Sequence, residues 1–269
     1  MLRFQAHCLL ALAEMQSAHA VDLASRLLDL PLFRERHLRD LCRELNKIRM
    51  ASSAQLLEKV LEETAATEDP GLMETILIGL AQWPERQVPT SVERVLGRDD
   101  STPRLRALAW KVVANRGGFH GLKRLRKYLI QTSILPKWSL TTLEETLELA
   151  REIGSDAFAL SEEVAALLKR AERENCPELT NELWAWLTAM NTRQGHLPSC
   201  REWFLDSCLP ALRRRLAQTE DDSLLSWLNA IVGAPADVIQ ALVDLIVAEW
   251  DGLPPSTQRC ALEFFLPSA

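Results

Sequence analysis

The chain has 269 residues, 47% apolar and 25% charged, a composition typical of a globular protein with a sizeable core. Its ten glycines are few for a large β-sandwich or a nucleotide-binding α/β domain, which need many tight turns. A net charge of −6 excludes the chain-wide basic excess that is typical of a general nucleic-acid binder. Leu, Ala, Glu and Arg dominate, and all four favour helices.

Apolar residues recur at helical spacing along most of the sequence, and no run alternates as a strand would. The clearest segment is TPRLRALAWKVVANRGG, where Thr102 suits the N-cap, Pro103 the first turn and Gly117 the end. Periodicity and Pro/Gly punctuation predict helices over 2–16, 18–29, 31–48, 52–66, 70–83, 89–97, 102–116, 118–132, 139–153, 156–173, 177–191, 198–217, 222–233, 235–250 and 255–266. We therefore expect an all-α fold.

Alternate predicted helices begin near residues 70, 102, 139, 177, 222 and 255, about 32 to 45 residues apart, which is the period of a two-helix repeat. One such pair cannot bury its apolar faces alone, so neighbouring pairs should stack around a continuous core. Short connections favour antiparallel neighbours. The sequence thus predicts an α-solenoid of about 12–15 helices, with residues 1–50 as an N-terminal helical cap that continues into repeats over 51–269.

One stretch, SVERVLGRDDSTPRLRALAWKVVANRG, resembles a HEAT repeat. A first helix is followed by an acidic turn at Asp99 or Asp100, and the second helix opens with an apolar-arginine pair, Leu105-Arg106. The resemblance implies stacked antiparallel helix pairs that present a curved surface.

Residues 101–143 contain no Asp or Glu. The stretch does contain nine cations and a histidine, listed in chain order as Arg104, Arg106, Lys111, Arg116, His120, Lys123, Arg124, Arg126, Lys127 and Lys137. One interpretation is a docking site for an anionic partner, with Arg104, Lys111, Arg116, His120, Lys123, Arg124 and Lys127 as candidate binding residues. The other is a solvated face balanced by acids of adjacent repeats, such as Glu144, Glu145 and Glu148.

The helix predicted over 118–132 should have two distinct faces. Phe119, Leu122, Leu125 and Leu129 are expected to lie in the core, which leaves the cations on the opposite side.

Eight tryptophans offer a second kind of candidate. Trp110, Trp184 and Trp227 fall in helices that would be second in their pairs, where solenoids commonly form a concave binding face, and exposed tryptophans there would be interface anchors. Their alternative role is to fill the core between repeats, because tryptophan buries a large area.

Catalytic motifs are absent from the sequence: it has no P-loop, no G-x-G-x-x-G, no H-E-x-x-H and no G-x-S-x-G. A zinc site from Cys176, His196, Cys200 and Cys208 matches no compact ligand spacing. We therefore assign no catalytic residue, metal ligand or cofactor. The six cysteines form no close pair and are expected to be reduced, as in a cytoplasmic protein.

The N-terminal twenty residues are interrupted by Gln5, His7, Glu14 and Gln16, so they are expected to form an amphipathic helix rather than a signal peptide. No membrane span is expected.

The sequence as a whole favours a non-catalytic protein–protein interaction module: an adaptor, scaffold or regulatory subunit. The alternative is a nucleic-acid-binding helical-repeat protein that uses the basic stretch 104–137 to hold phosphates. A DNA-processing enzyme, with an acid and aromatics in a basic groove, is a variant of that alternative.

Overall fold

The computed structural model describes residues 18–48, 50–64, 69–83, 87–153, 160–194 and 236–265, together with residues 205, 209, 210 and 213. Every regular element in these residues is helical, so the predicted all-α class is confirmed. The predicted helices over 2–16 and 222–233 lie outside the described residues, and of the one over 198–217 only residues 205, 209, 210 and 213 are described.

Twelve α-helices lie in the described residues. In chain order they are α1 (Ala18–Leu28), α2 (Pro31–Lys47), α3 (Ala51–Thr64), α4 (Pro70–Ala81), α5 (Thr90–Gly97), α6 (Pro103–Arg116), α7 (Gly118–Ile134), α8 (Leu140–Ile153), α9 (Ser161–Arg173), α10 (Pro177–Gln194), α11 (Ala236–Ala248) and α12 (Pro255–Phe265). A 3₁₀ turn, Trp250–Gly252, separates the last two.

Local chemistry explains where several helices begin. Asp69 caps α4 by accepting a hydrogen bond from the amide of Leu72 at 3.1 Å, and Thr102 caps α6 by accepting one from Leu105 at 3.2 Å. A proline occupies the first turn of both helices, where its missing N–H has no cost. The boundary between α6 and α7 lies at Gly117 and Gly118, and Gly118 adopts a φ of 50°, which favours glycine.

Contacts divide the chain into two compact units, residues 1–153 and 154–269. In the first unit α2, α4, α6 and α8 contact one another in succession, and α1, α3 and α5 do the same. Consecutive helices also pack together, notably α6 against α7. The predicted boundary between residues 50 and 51 falls inside this unit, where α1 and α2 both contact α3. In the second unit α9 packs against α10.

The core of the first unit lies between these successive helices. Leu105, Leu108 and Val112 are at most 2% exposed, which confirms the apolar face expected for α6. They belong to a cluster that extends from Ala20 to Val113 and joins α1 to α6.

The expectation that Phe119 lies in the core is wrong, because this side chain is 79% exposed. The buried side of α7 runs through Gly121, Leu125 and Leu129. A Cβ at Gly121 would overlap the carbonyl oxygen of Val113, so α7 approaches the α6 backbone there. This close approach turns the side of the helix that carries Phe119 towards solvent.

Within the described residues, no helix is both long enough and apolar enough to cross a membrane.

Candidate interaction surface

Arg104 and Lys111, both predicted to bind an anionic partner, lie on α6 beside carboxylates of the helices next to it. Arg104 is 3.2 Å from Glu74 of α4, 3.6 Å from Glu148 and 3.5 Å from Glu152 of α8. Lys111 is 3.3 Å from the second oxygen of Glu152. These cations therefore lie in an ion-pair network that runs across α4, α6 and α8.

Arg106, the arginine of the HEAT-like motif, is half-buried below that network. One nitrogen donates to the backbone carbonyl of Arg98 at 2.8 Å, and another lies 3.3 Å from Glu145, which is only 7% exposed. The side chain thus connects the end of α5 to α8.

Arg116 was also predicted to bind an anion, but its side chain is 1% exposed and cannot reach a partner from this position. Its Nη2 atom lies 2.6 Å from a carboxylate oxygen of Glu58 on α3. A guanidinium buried in this way joins α6 to α3 and depends on its carboxylate partner. Arg116 is therefore not part of the candidate surface.

Arg124 is exposed on α7 and donates to both carboxylate oxygens of Glu93 on α5. The hydrogen bond from Arg124, aided by its charge, lowers the pKa of Glu93 below the ordinary range of a glutamate. Reciprocally, the bond to Glu93 raises the pKa of Arg124. This bidentate pair connects α5 to α7.

Residues 101–143 contain no acid in their sequence, but carboxylates of other helices lie close to them in the structure. Carboxylates of α3, α4, α5 and α8 lie beside the cations, and Glu145 and Glu148 are two of the three acids that the balanced-face interpretation named. At least five of the nine cations of this stretch are within ion-pair distance of a carboxylate, and its binding of an anionic partner stays a prediction.

Lys123 and Lys127 differ from those five cations. Both are exposed on α7, one turn apart, and neither forms an ion pair with any described residue. His120 is exposed on the preceding turn, where its ring lies edge-on to Phe119 with centroids 6.1 Å apart. Of the predicted binding residues, these three are exposed and form no ion pair with a described residue.

Apolar side chains share the exposed side of α7 with the two lysines. Phe119 is 79% exposed, Ile130 43% and Ile134 72%. At 100° per residue, Phe119, Lys123, Lys127, Ile130 and Ile134 fall within an arc of about 80°. We call these five residues the α7 outer face. Leu135 and Leu140, also exposed, follow it in the chain.

The sequence interpretation missed the apolar part of this face. It assigned Phe119 to the core, and it did not consider Ile130 and Ile134. A signal was present, because α7 carries apolar residues at helical spacing on two opposite sides: Leu125 and Leu129 on one, Ile130 and Ile134 on the other. A helix with one buried face needs only one such stripe.

Trp110 is half-buried and packs against the core cluster, with its ring centroid 4.8 Å from that of Tyr128. Trp110 therefore packs against the core, which is the alternative role that the sequence suggested for the tryptophans. The side chain of Trp184 in α10 and the whole of Trp227 lie outside the described residues.

Two cysteines, Cys42 and Cys176, are free in the described part of the chain. Burial raises the pKa of the Cys42 thiol to about 12, so the reactive thiolate is suppressed. No group of three or more His, Cys, Asp or Glu in the described residues could hold a metal ion. Of the conceivable zinc ligands only Cys176 is described; His196, Cys200 and Cys208 are not.

No family model, no curated protein and no solved structure matches this chain. Any function assigned to the chain must therefore come from the geometry of its own residues.

Proposed function

We propose that this protein is a non-catalytic protein–protein interaction module, built in its first unit as a stack of HEAT-like helix pairs. The succession of contacts along α2, α4, α6 and α8, and along α1, α3 and α5, supports this arrangement. The pair between Glu93 and Arg124 extends the second row to α7. Stacks of this kind present long surfaces to partners.

The observation that carries the proposal is the apolar exposure around α7. Five exposed large apolar side chains lie within residues 119–140, listed as Phe119, Ile130, Ile134, Leu135 and Leu140. Single exposed apolar residues are ordinary, but a group of them on one helix and on the chain up to the start of the next is typical of an interaction site.

The alternative, nucleic-acid binding through residues 104–137, loses support from the ion pairs. A phosphate backbone must compete with Glu74, Glu93, Glu148 and Glu152 for the same cations. A cation that is already paired with a carboxylate neutralises a phosphate less effectively, so fewer counterions are released from the nucleic acid. This weakens the main source of nucleic-acid affinity.

The test is affinity capture of the tagged full chain from an extract of its own cells, treated with nuclease, with the captured proteins identified by mass spectrometry. We expect at least one protein to be retained in stoichiometric amount at about 0.15 M salt and after nuclease treatment. Capture that disappears with nuclease would contradict the proposal and favour the nucleic-acid alternative.

A further inference from the structure

We infer that the α7 outer face docks an acidic amphipathic helix of a partner protein, an inference that rests on the interaction function proposed above. The face combines three exposed apolar side chains, Phe119, Ile130 and Ile134, with two exposed lysines, Lys123 and Lys127. Along the helix axis the two lysines lie between Phe119 at one end and Ile130 and Ile134 at the other, so the complementary surface has apolar side chains towards its ends and carboxylates between them.

The dimensions of the face suit a helix. Phe119 and Ile134 are 15 residues apart in α7, which places them about 22 Å apart along the helix axis. An amphipathic helix of about four turns covers that length and presents an apolar residue every three or four positions. Phe119 and Ile134 are 79% and 72% exposed, so both can be covered from the solvent side without moving α7.

The positive charge of the face favours an acidic partner. No acid occurs between residues 101 and 143, and the nearest carboxylate partner on α5, Glu93, is engaged by Arg124. Lys123 and Lys127 lie one turn apart and repel each other without an ion-pair partner in the described residues. Carboxylates of a docked helix would relieve that repulsion, whereas lysines would add to it.

Other anionic partners fit the face less well. Phe119 is the one aromatic side chain of the face that could stack on a base, whereas the aliphatic Ile130 and Ile134 offer no stacking surface. Two lysines give weak attraction to an anionic membrane, whose binding segments carry clusters of four or more. We therefore treat nucleic acid and membrane as competing outcomes of the same experiment.

The test uses three fluorescent synthetic peptides of about 21 residues, each a helix-forming sequence of four to six turns. The first has a leucine stripe flanked by glutamates, the second the same stripe flanked by lysines, and the third the glutamates with serine in place of leucine. Anisotropy titrations with the full chain at about 0.15 M salt measure the three affinities. We expect the first peptide to bind at least about tenfold more tightly than either of the others.

Four double variants locate the binding. Lys123→Glu with Lys127→Glu removes the positive charge of the face, and Ile130→Ser with Ile134→Ser removes its apolar anchors. The matched controls are Arg36→Glu with Lys59→Glu, both exposed on α2 and α3, and Leu32→Ser with Val247→Ser, which are 63% and 66% exposed. Each face variant should weaken binding of the first peptide at least about tenfold, while each control changes it less than about twofold.

Several results would overturn the inference. Equal affinity for the glutamate and lysine peptides would do so, as would equal loss in face and control variants, or failure of the first peptide to bind. Vesicles containing about 30% phosphatidylserine and a 20-nucleotide DNA are titrated in parallel. Tighter binding of either one, lost in the face variants, would replace the helix with a membrane or a nucleic acid. Circular dichroism checks that every variant keeps its helix content.

The proposed function is separated from this inference by repeating the affinity capture with the face variants. A captured protein that the variants retain would overturn the α7 site and leave the interaction function standing. A wild-type chain that captures no protein would remove the interaction function whatever the peptides show.

Discussion

The hydroxyl of Tyr128 on α7 interacts with Glu145 of α8 and Arg106 of α6, and we call these three residues the polar cluster. Burial, together with the charge and hydrogen bond of Glu145, raises the pKa of this phenol well above its ordinary value. Glu145 is also 3.3 Å from Arg106, so one carboxylate serves a residue of each neighbouring helix. Paired polar groups that are buried favour one arrangement of the helices, and of this group only the Nε of Arg106 is buried without a hydrogen-bond partner.

The raised pKa gives a direct prediction. The folded state favours the neutral phenol, so Tyr128 contributes stability below an unfolded pKa of about 10, and that contribution is lost as pH rises above it. Because Tyr128 is the only tyrosine in the chain, absorbance at tyrosinate wavelengths reports on this residue alone. We expect no reversible titration near pH 10 in the folded protein.

The same titration in concentrated urea is the control, and it should give a pKa of about 10. A reversible step near 10 in the native protein, with unchanged circular dichroism, would show that Tyr128 is exposed and that the cluster is wrongly described.

At the scale of the element, a glycine allows α7 to lie close against α6. Gly121 is buried, and a Cβ there would overlap the Val113 carbonyl of α6. The contact fixes the rotation of α7 about its own axis. That rotation turns Phe119 outwards and Leu125 inwards.

Gly121→Ala should therefore destabilise the protein by about 1–3 kcal/mol, because α7 must move away from α6 to admit the methyl group. Gly97→Ala is the matched control: it lies in helix α5, and a Cβ there meets nothing within 4 Å. It should be neutral or stabilising by up to about 1 kcal/mol. Urea unfolding followed by circular dichroism measures both, and equal effects would mean that α6 and α7 do not approach at this point.

At the scale of the molecule, side chains join helices that are distant in sequence. Arg39 contacts Asp69, Arg104 contacts Glu74 and Arg124 contacts Glu93, separated by 30, 30 and 31 residues. Two asparagines reinforce the pattern: Asn46 donates to the Thr75 carbonyl and Asn115 to that of Ala81. These spacings are close to the shorter of the repeat periods expected from the sequence.

Helix positions could be predicted from the sequence because their signals are local. The cap at Thr102, the proline after it and the glycine at 117 place α6 nearly to the residue. The ion pairs could not be predicted in the same way, since packing decides which acids come near a cation 30 to 58 positions away. The sequence of residues 101–143 alone therefore does not show which of its cations pair with carboxylates of other helices.

Phe119 is a single residue whose exposure could not be predicted from the local sequence pattern. Its spacing from Leu122 fits a helical stripe, but the rotation of α7 is set by Gly121, whose missing side chain carries no hydrophobic signal. The apolar content of the surface thus depends on a backbone contact between two helices.

The central claim is that the cations of residues 101–143 mainly hold helices together and leave a protein-binding face on α7. Titration of the full chain into a labelled 20-nucleotide DNA at about 0.05 and 0.15 M salt tests it most directly. The account predicts a dissociation constant weaker than about 100 μM at the higher salt, at the weak end of non-specific binding. A constant tighter than about 1 μM that weakens steeply between the two salts would contradict it, because several unpaired cations would then be releasing counterions.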